Sequence, residues 1–434
     1  MTDIQAYAKR RAALLAQMQS GIAIVPTAPE RVRNRDSAYL YRFDSYFYYL
    51  CGFHEPEAVL VLIAGENPQS VLFCREKSPE REIWDGFRFG PEAARESFGV
   101  DAAYAIGEIE EKLPAMMANQ PALHYAPGAD PDWDARIMRW LNQVRAQSRT
   151  GVSAPQDIHD IRGALDEMRL IKDEHELALM RRAAGISAKA HESAMRATRP
   201  GRMEYEIEAA LLYEFRRHGA QFPAYWPIVA GGANACVLHY SDNNARLDDG
   251  ALLLIDAGCE LDGYASDITR TYPVNGKFSG AQKDVYELVL AAQAAAIAAT
   301  MPGTAWDAPH EAAVRVLAQG MIDFGLCRGN LDQVIETGEY KRFYMHRTGH
   351  WLGLDVHDAG EYKLDGKWRP LSAGMTLTVE PGCYIRPADD VPKAYWNIGV
   401  RIEDDLLVTG DGCEVITAAT PKSIAAIEAL VGHD

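Results

Sequence analysis

Apolar residues recur at helical spacing in four stretches of the chain, and the four fall into two matching pairs. The segment DEHELALMRRAAGISAKAHESAMRAT, from Asp173, sets an acidic first turn ahead of its apolar stripe and stops at Pro200-Gly201. A second stretch, EYEIEAALLYEFRRHG, ends at Gly219. The order then recurs as GAQKDVYELVLAAQAAAIAAT, a break at Pro302-Gly303, and APHEAAVRVLAQGMIDFG ending at Gly325. Strand-like segments follow each pair. Such a repeat predicts one pseudo-symmetric domain with a cleft between its halves.

Ahead of these helices the pattern differs. Short apolar runs, GIAIVP, AVLVLIAG and SVLFCREK, alternate with helical stretches, as in an α/β domain. The first residues, MTDIQAYAKRRAALLAQMQS, read as an amphipathic helix and not as a signal peptide, because charges interrupt any apolar core. A length of 434 residues exceeds one ordinary core. The predicted organisation is a small N-terminal α/β domain over 1–172 and the pseudo-symmetric domain over 173–434. No segment reaches transmembrane length. Lys and Arg number 44 against 61 for Asp and Glu, a net charge of −17 whose field repels polyanions, so neither nucleic acid nor a membrane is expected as a partner. Cysteines at 51, 74, 236, 259, 327, 383 and 413 show no C-x-x-C spacing, which predicts reduced thiols and a cytoplasmic protein.

Candidate chemistry concentrates in the second domain. Leu252 to Ile255 form a bulky strand-like run, and Asp256 follows directly, where a carboxylate is costly to ionise without compensating positive charge. Asp267 stands just after a glycine-bearing turn in the same stretch. Further on, TLTVEPG ends a strand at Glu380, before Pro381-Gly382, and GVRIEDDLLVTG sets Glu403 within a strand. Period-2 alternation sends Arg401 and Glu403 to one face of that strand and Val400 and Ile402 to the other. HRTGHWLGLDVHD adds His346, His350 and His357. His346 and His350 have the i, i+4 spacing of a zinc-binding helix, but Arg347 stands where that motif needs Glu, and Gly349 and Gly353 disfavour a helix. Four carboxylates and one imidazole among apolar residues cannot persist as unpaired anions. Two divalent cations would neutralise them, and oxygen-rich ligation with a single His suits Mn²⁺, Co²⁺ or Zn²⁺.

The stretches LHYSDNNARLDDGALLLIDAGCELDGYASDITRTYPVNGKFS, HRTGHWLGLDVHDAG, LTVEPGCYI and GVRIEDDLLVT resemble the pita-bread metallopeptidases of the aminopeptidase P type. RNRDSAYLYRFDSYFYYLCGFHEPEAVLVL is similar to their smaller N-terminal domain, so the likeness runs over nearly the whole chain. The resemblance implies a two-domain α/β fold with a pita-bread (creatinase/aminopeptidase) catalytic domain, and an enzyme that releases the N-terminal residue from peptides with proline second. It implies Asp256, Asp267, His350, Glu380 and Glu403 as ligands of two metal ions, Mn²⁺ first among the candidates, with Asp267 and Glu403 bridging. It makes Glu380 a proton shuttle as well, and His357 a hydrogen-bond donor to the developing oxyanion. His239 would contact substrate near the scissile bond, while His346 and Arg401 would line the same cleft. Tyr384 and Trp84 are candidate aromatic walls for the proline ring, and Asp36 and Trp84 lie in segments similar to those of the N-terminal domain that reach a catalytic cleft. One departure stands out in HRTGH, where the family pattern would have a small residue at 347 and Ser at 349.

Three rivals share parts of this pattern. A proline dipeptidase has the same metal set but accepts only dipeptides, docking their free carboxylate. A non-catalytic pita-bread peptide-binding protein would be expected to lose ligands, and a metal-free creatinase-type hydrolase likewise; all five are present. Lastly, YRFDSYFYYLCGF holds more rings than one small core readily absorbs, which predicts a homodimer or homotetramer in which the N-terminal domain helps to close an active site.

Overall fold

In the computed structural model, which describes residues 4–433, the amphipathic N-terminal stretch is the helix Ile4–Met18. The chain divides into two compact units, one ending at Arg169 and one beginning at Leu170. In the first, the three apolar runs are the strands Gly21–Pro26, Val59–Ala64 and Gln69–Cys74 of a six-stranded mixed sheet. Gly21–Pro26 runs antiparallel to Val59–Ala64 and parallel to Ala122–Tyr125. Ile22, Val61, Phe73, Leu123 and Trp140 are buried together in its core.

The aromatic run folds differently from expectation. Asp44 caps the helix Ser45–Cys51 by accepting from the Phe47 N–H at 2.9 Å, and Gly52 ends it at φ 68°. Arg10 and Arg11 donate to the last-turn carbonyls of Tyr49 and Leu50 at 3.1 and 3.0 Å, satisfying acceptors that the helix leaves open. Phe47, Tyr48, Tyr49 and Phe53 are thereby buried within their own unit. Tyr41, Phe43 and Tyr46 of the same run are only partly buried. The apolar side chains that this unit does expose are others, among them Val32, Leu40, Ile83, Trp84 and Phe87.

The second unit carries the repeat. Its helix pairs are Glu174–Ala197 with Glu204–Arg217, and Gly280–Ala299 with Ala308–Asp323. The first helix of each pair begins with a reciprocal capping box, Asp173 with Glu176 and Ser279 with Gln282. Gly201 and Gly303 take the same left-handed turn, at φ 88° and 84°. The turns are tied down alike: Gly201 N–H donates to Leu247 O and Leu247 N–H to Arg202 O, just as Gly303 N–H donates to Leu371 O and Leu371 N–H to Thr304 O.

Each half then contributes an antiparallel ribbon broken part-way along its length. In the first, Leu252–Asp256 pairs with Thr269–Pro273, and beyond the break Cys259–Leu261 pairs with Tyr264–Ala265 in another sheet. In the second, Thr376–Val379 pairs with Asp404–Val408, and beyond the break Gly382–Ile385 pairs with Ile398–Arg401. Asp256, Asp267, Glu380 and Glu403 stand at these breaks. Glu403 is therefore not inside a strand: Ile402 and Glu403 join two strands that belong to different sheets, and Pro381, which cannot donate to a ladder, sits at the facing break.

At the first break the ribbon's two arms cross so closely that a Cβ on Gly258 would lie 1.7 Å from Ser266 O. Gly258→Ala should therefore cost about 3 kcal/mol or more, beyond ordinary overpacking. Gly185, exposed in the helix Glu174–Ala197, has nothing within 4 Å of such a Cβ, and Gly185→Ala should add about 0.5–1 kcal/mol. Urea unfolding midpoints of the two variants would check this; equal shifts would contradict the crossing.

Candidate metal centre

The broken ribbons bring carboxylates from both halves together. Asp267, His350 and Glu403 each offer a donor atom, and these atoms lie within 4.8 Å of one another. His350 Nε2 is 3.4 Å from Asp267 Oδ2 and 3.8 Å from Glu380 Oε1. The Tyr225 hydroxyl reaches Asp256 Oδ1 at 2.5 Å and also contacts Asp267 Oδ1. Arg401 Nη2 donates to Asp256 Oδ2 at 2.6 Å, and its Nε to the Thr269 hydroxyl at 3.1 Å. That hydroxyl donates to Glu403 Oε2 at 2.6 Å. Arg401 and Glu403 thus share a neighbour across the break, as the alternation had suggested.

Backbone bonds fix the cluster. Glu380 N–H donates to Thr348 O at 2.8 Å, Thr378 N–H to His350 O at 3.0 Å, and Glu403 N–H to Thr269 O at 3.1 Å. Asp405 Oδ2 receives the Asp267 N–H at 3.0 Å. Behind them, the buried Asp404 carboxylate accepts from Arg270, Gln293, Thr417 and Lys422. Gly349 also belongs here, since a Cβ on it would lie 2.0 Å from Thr378 O.

The donor set fits divalent cations. His350 Nδ1 lies 2.9 Å from Trp351 O, an acceptor only, so one ring proton sits there and Nε2, which faces the carboxylates, is left to bind either a cation or a second proton. One tyrosine proton faces two carboxylates at Tyr225. Arg401 is the one guanidinium bonded to an acid of the cluster among the described residues. Four carboxylates and an imidazole of this tautomer are ligands for a borderline first-row ion. Without such an ion, protons take its place. Burial, with Asp267 and Glu380 nearby, pushes Glu403 well above the carboxylate range, and burial beside Asp256 raises Asp267. Burial likewise lifts Glu380 from 4.5 to about 7. Burial opposes a charge on His350, but Asp267 and Glu380 overcome it and raise the ring from 6.5 to about 9. Asp256 is the exception: burial disfavours its anion, yet Arg401 and Tyr225 hold it below its ordinary value.

A cavity of about 770 Å³ opens beside the cluster, lined by Asp256, His350 and Glu380 together with His239, His346, His357 and Arg401. The His357 ring stands edge-on to His350 with centroids 4.3 Å apart, and burial and His350 lower its proton affinity. His346 Nδ1 donates to Arg347 O at 2.7 Å, while its Nε2 is 2.8 Å from the Tyr384 hydroxyl. Burial and Arg401 bring this ring down to about 3, so it is neutral and accepts from Tyr384, which in turn receives Arg401 Nη1 at 2.9 Å. Tyr384 itself is 1% exposed, so its hydroxyl ties two cavity residues while its ring packs behind them. Trp84, on the helix Pro79–Asp85 of the first unit, is 84% exposed and belongs to no core. Asp36 is exposed in the turn between Val32–Asn34 and Ser37–Ala38 of the same unit. Tyr225 and Thr269 are functional neighbours that sequence reasoning missed. Tyr225 lies in FPAYWP, a proline-flanked loop with no periodicity to reveal where its ring points.

Known proteins resemble this chain in both of its units. The family model described as metallopeptidase family M24 matches residues 178–410, and that of the aminopeptidase P N-terminal domain matches residues 7–124. A Xaa-Pro aminopeptidase of Haemophilus influenzae is 47% identical, covering 98% of this chain and 96% of its own. An aminopeptidase structure from Pseudomonas aeruginosa superposes with a TM-score of 0.98 at 52% identity, covering 99% of this chain and 98% of that one. A zinc-substituted Escherichia coli aminopeptidase P in complex with product gives 0.97 at 44% identity, with 99% and 98% covered.

The metal-free protein should lose stability as pH rises. Glu380, with a folded value of about 7 against 4.5, resists ionisation in the fold and so destabilises it increasingly between those values. His350, raised from 6.5 to about 9, contributes stability that is complete below 6.5 and lost on rising through 9. Both signs agree. A cation that replaces the protons should therefore raise Tm more at about pH 8 than at about pH 5.5. Scanning fluorimetry with and without Mn²⁺ would check it; an equal or larger rise at the lower pH would contradict it.

Proposed function

Because the chain belongs to metallopeptidase family M24, with an aminopeptidase P N-terminal domain ahead of it, we propose that it is a metal-dependent aminopeptidase releasing the N-terminal residue from peptides with proline second. The observation that carries this reading is the convergence of five donors from both halves of the repeat on one cavity, of about 280 Å³, in a chain 45–47% identical to Xaa-Pro aminopeptidases over nearly its full length. The dipeptidase and non-catalytic readings have no comparable support.

In this reading Asp256, Asp267, His350, Glu380 and Glu403 hold two divalent cations, Mn²⁺ ahead of Co²⁺ and Zn²⁺. Bound there, such ions supply Lewis-acid polarisation of the amide carbonyl and a water acidic enough to attack near neutral pH. The protein supplies proton movement and fit. Glu380 lines the cavity beside the cluster, where its carboxylate could pass a proton to the departing proline nitrogen. His357 is neutral at working pH and donates its N–H to the oxyanion. A Xaa-Pro amide has no N–H, so the ring must be recognised by shape. His346 and Arg401, both held by Tyr384, give the proline ring a rigid wall, and His239 contacts the residue on the other side of the bond. The free buried thiols support a cytoplasmic location. The apolar residues exposed on the first unit support a homodimer or homotetramer.

Asp267→Ala should abolish both metal binding and hydrolysis, measured as metal content after dialysis and as release of Ala from Ala-Pro-Ala; retained metal with retained turnover would remove Asp267 from the ligand set. His357→Ala should keep its metal and lose roughly 10²- to 10³-fold in kcat, the usual loss for one oxyanion donor. Wild-type kcat in that variant would make His357 structural. Ala-Pro-Ala should be cleaved and Ala-Ala-Ala spared; cleavage of Ala-Pro alone would favour the dipeptidase.

A further inference from the structure

We propose that Arg347 and Lys363, gathered around Trp368, form a cationic subsite that binds a substrate carboxylate downstream of proline. The proposal rests on the aminopeptidase reading and names a substrate preference within it. The carboxylate belongs either to the C-terminus of a short peptide or to an acidic side chain after proline.

Lys363–Leu364 and Lys367–Trp368 form a minimal hairpin whose turn residues, Asp365 and Gly366, both have positive φ, at 49° and 76°. Its register sets Lys363 directly opposite Trp368. Lys363 Nζ lies 4.1 Å from the centroid of the Trp368 ring, and the Arg347 guanidinium 5.0 Å from it. One indole thus holds two cations by their attraction to its face, which limits the conformations they lose on binding an anion. All three side chains line the same cavity as Asp256, His350 and Glu380.

Charge decides what such a rim recognises. Arg347 is paired with Asp307. Lys363 has no acidic partner among the described residues, and neither cation pairs with any of the five candidate ligands. A cavity with the candidate metal centre on one part of its wall and cations on another orients a peptide, whose scissile bond lies at the first and whose downstream carboxylate is complementary to the second. A volume of about 770 Å³ lies within the range of ligand pockets and has room for a few residues. Trp306 and Tyr362, which also line it, offer apolar surface to the chain between. Arg347 is one of the two residues at which HRTGH departs from the family pattern, so that departure acquires a role.

The test compares kcat/KM of the Mn²⁺-loaded full chain for Ala-Pro-Ala as free acid, for its C-terminal amide, and for Ala-Pro-Asp amide. At low salt the free acid or the Asp amide should exceed the Ala amide by about three- to tenfold, and the preference should shrink in high salt, as for a partly exposed ion pair. Whichever peptide is favoured identifies the source of the carboxylate. The preference should fall toward one, through KM, in Lys363→Ala and in Arg347→Met/Lys363→Ala, reverse in Lys363→Glu, and survive in Lys363→Arg. Equal rates for all three peptides in the wild type, or an unaltered preference in the double variant, would overturn the proposal. If no peptide is cleaved, the aminopeptidase reading fails, and calorimetry still decides the subsite. Pro-Ala acid should then bind the protein more tightly than Pro-Ala amide, with the difference lost in Lys363→Glu; equal affinities would overturn it.

Discussion

Like charges crowded into a water-poor space are the constraint to which the second unit is built. Asp256, Asp267, Glu380 and Glu403 repel one another, and a single guanidinium, that of Arg401, is bonded into their midst. The residues behind the cluster compensate part of this charge. Asp404, the residue next to Glu403, is fully paired with Arg270 and Lys422, and Arg270 also donates to the Glu403 carbonyl. The Asp404 charge just behind the cluster is thereby neutralised, whereas burial and the nearby Asp267 raise the Asp405 carboxyl well above the usual carboxylate range, so that it keeps its proton.

The cavity walls show the same economy. Arg401 serves Asp256, Thr269 and Tyr384 at once. Through Tyr384 it also fixes His346, so one buried side chain links the acid cluster to the wall opposite. A substitution at Tyr384 would disturb two cavity residues without its ring touching substrate. Rigidity of this kind is what shape recognition of a proline ring requires, because a pliable wall would accept other residues equally well.

Much of this was legible in the chain. The helices were, because capping residues and Pro-Gly punctuation act locally, and the repeated turns at Gly201 and Gly303 follow from the same dipeptide in both halves. The acids were legible because Asp256 and Glu380 end apolar runs. The break at Ile402-Glu403 was not, since a strand that changes sheets keeps its alternating pattern while its partner changes, and the partner is set by tertiary structure. Tyr225 lacked any local signal. How the aromatic run divides was not legible either: composition counts rings, whereas Arg10 and Arg11, far away in sequence, bond the helix that buries four of them.

The division of the acids between two ribbons has a consequence for synthesis. Asp256 and Asp267 come from the earlier ribbon, Glu380 and Glu403 from the later one, and His350 from the segment before it, so on the proposed ligand assignment a nascent or truncated chain ending between the ribbons lacks part of the centre. A peptidase constructed in this way is silent while it is being made. Completion of the second half, and its docking on the first, is the step that would switch activity on.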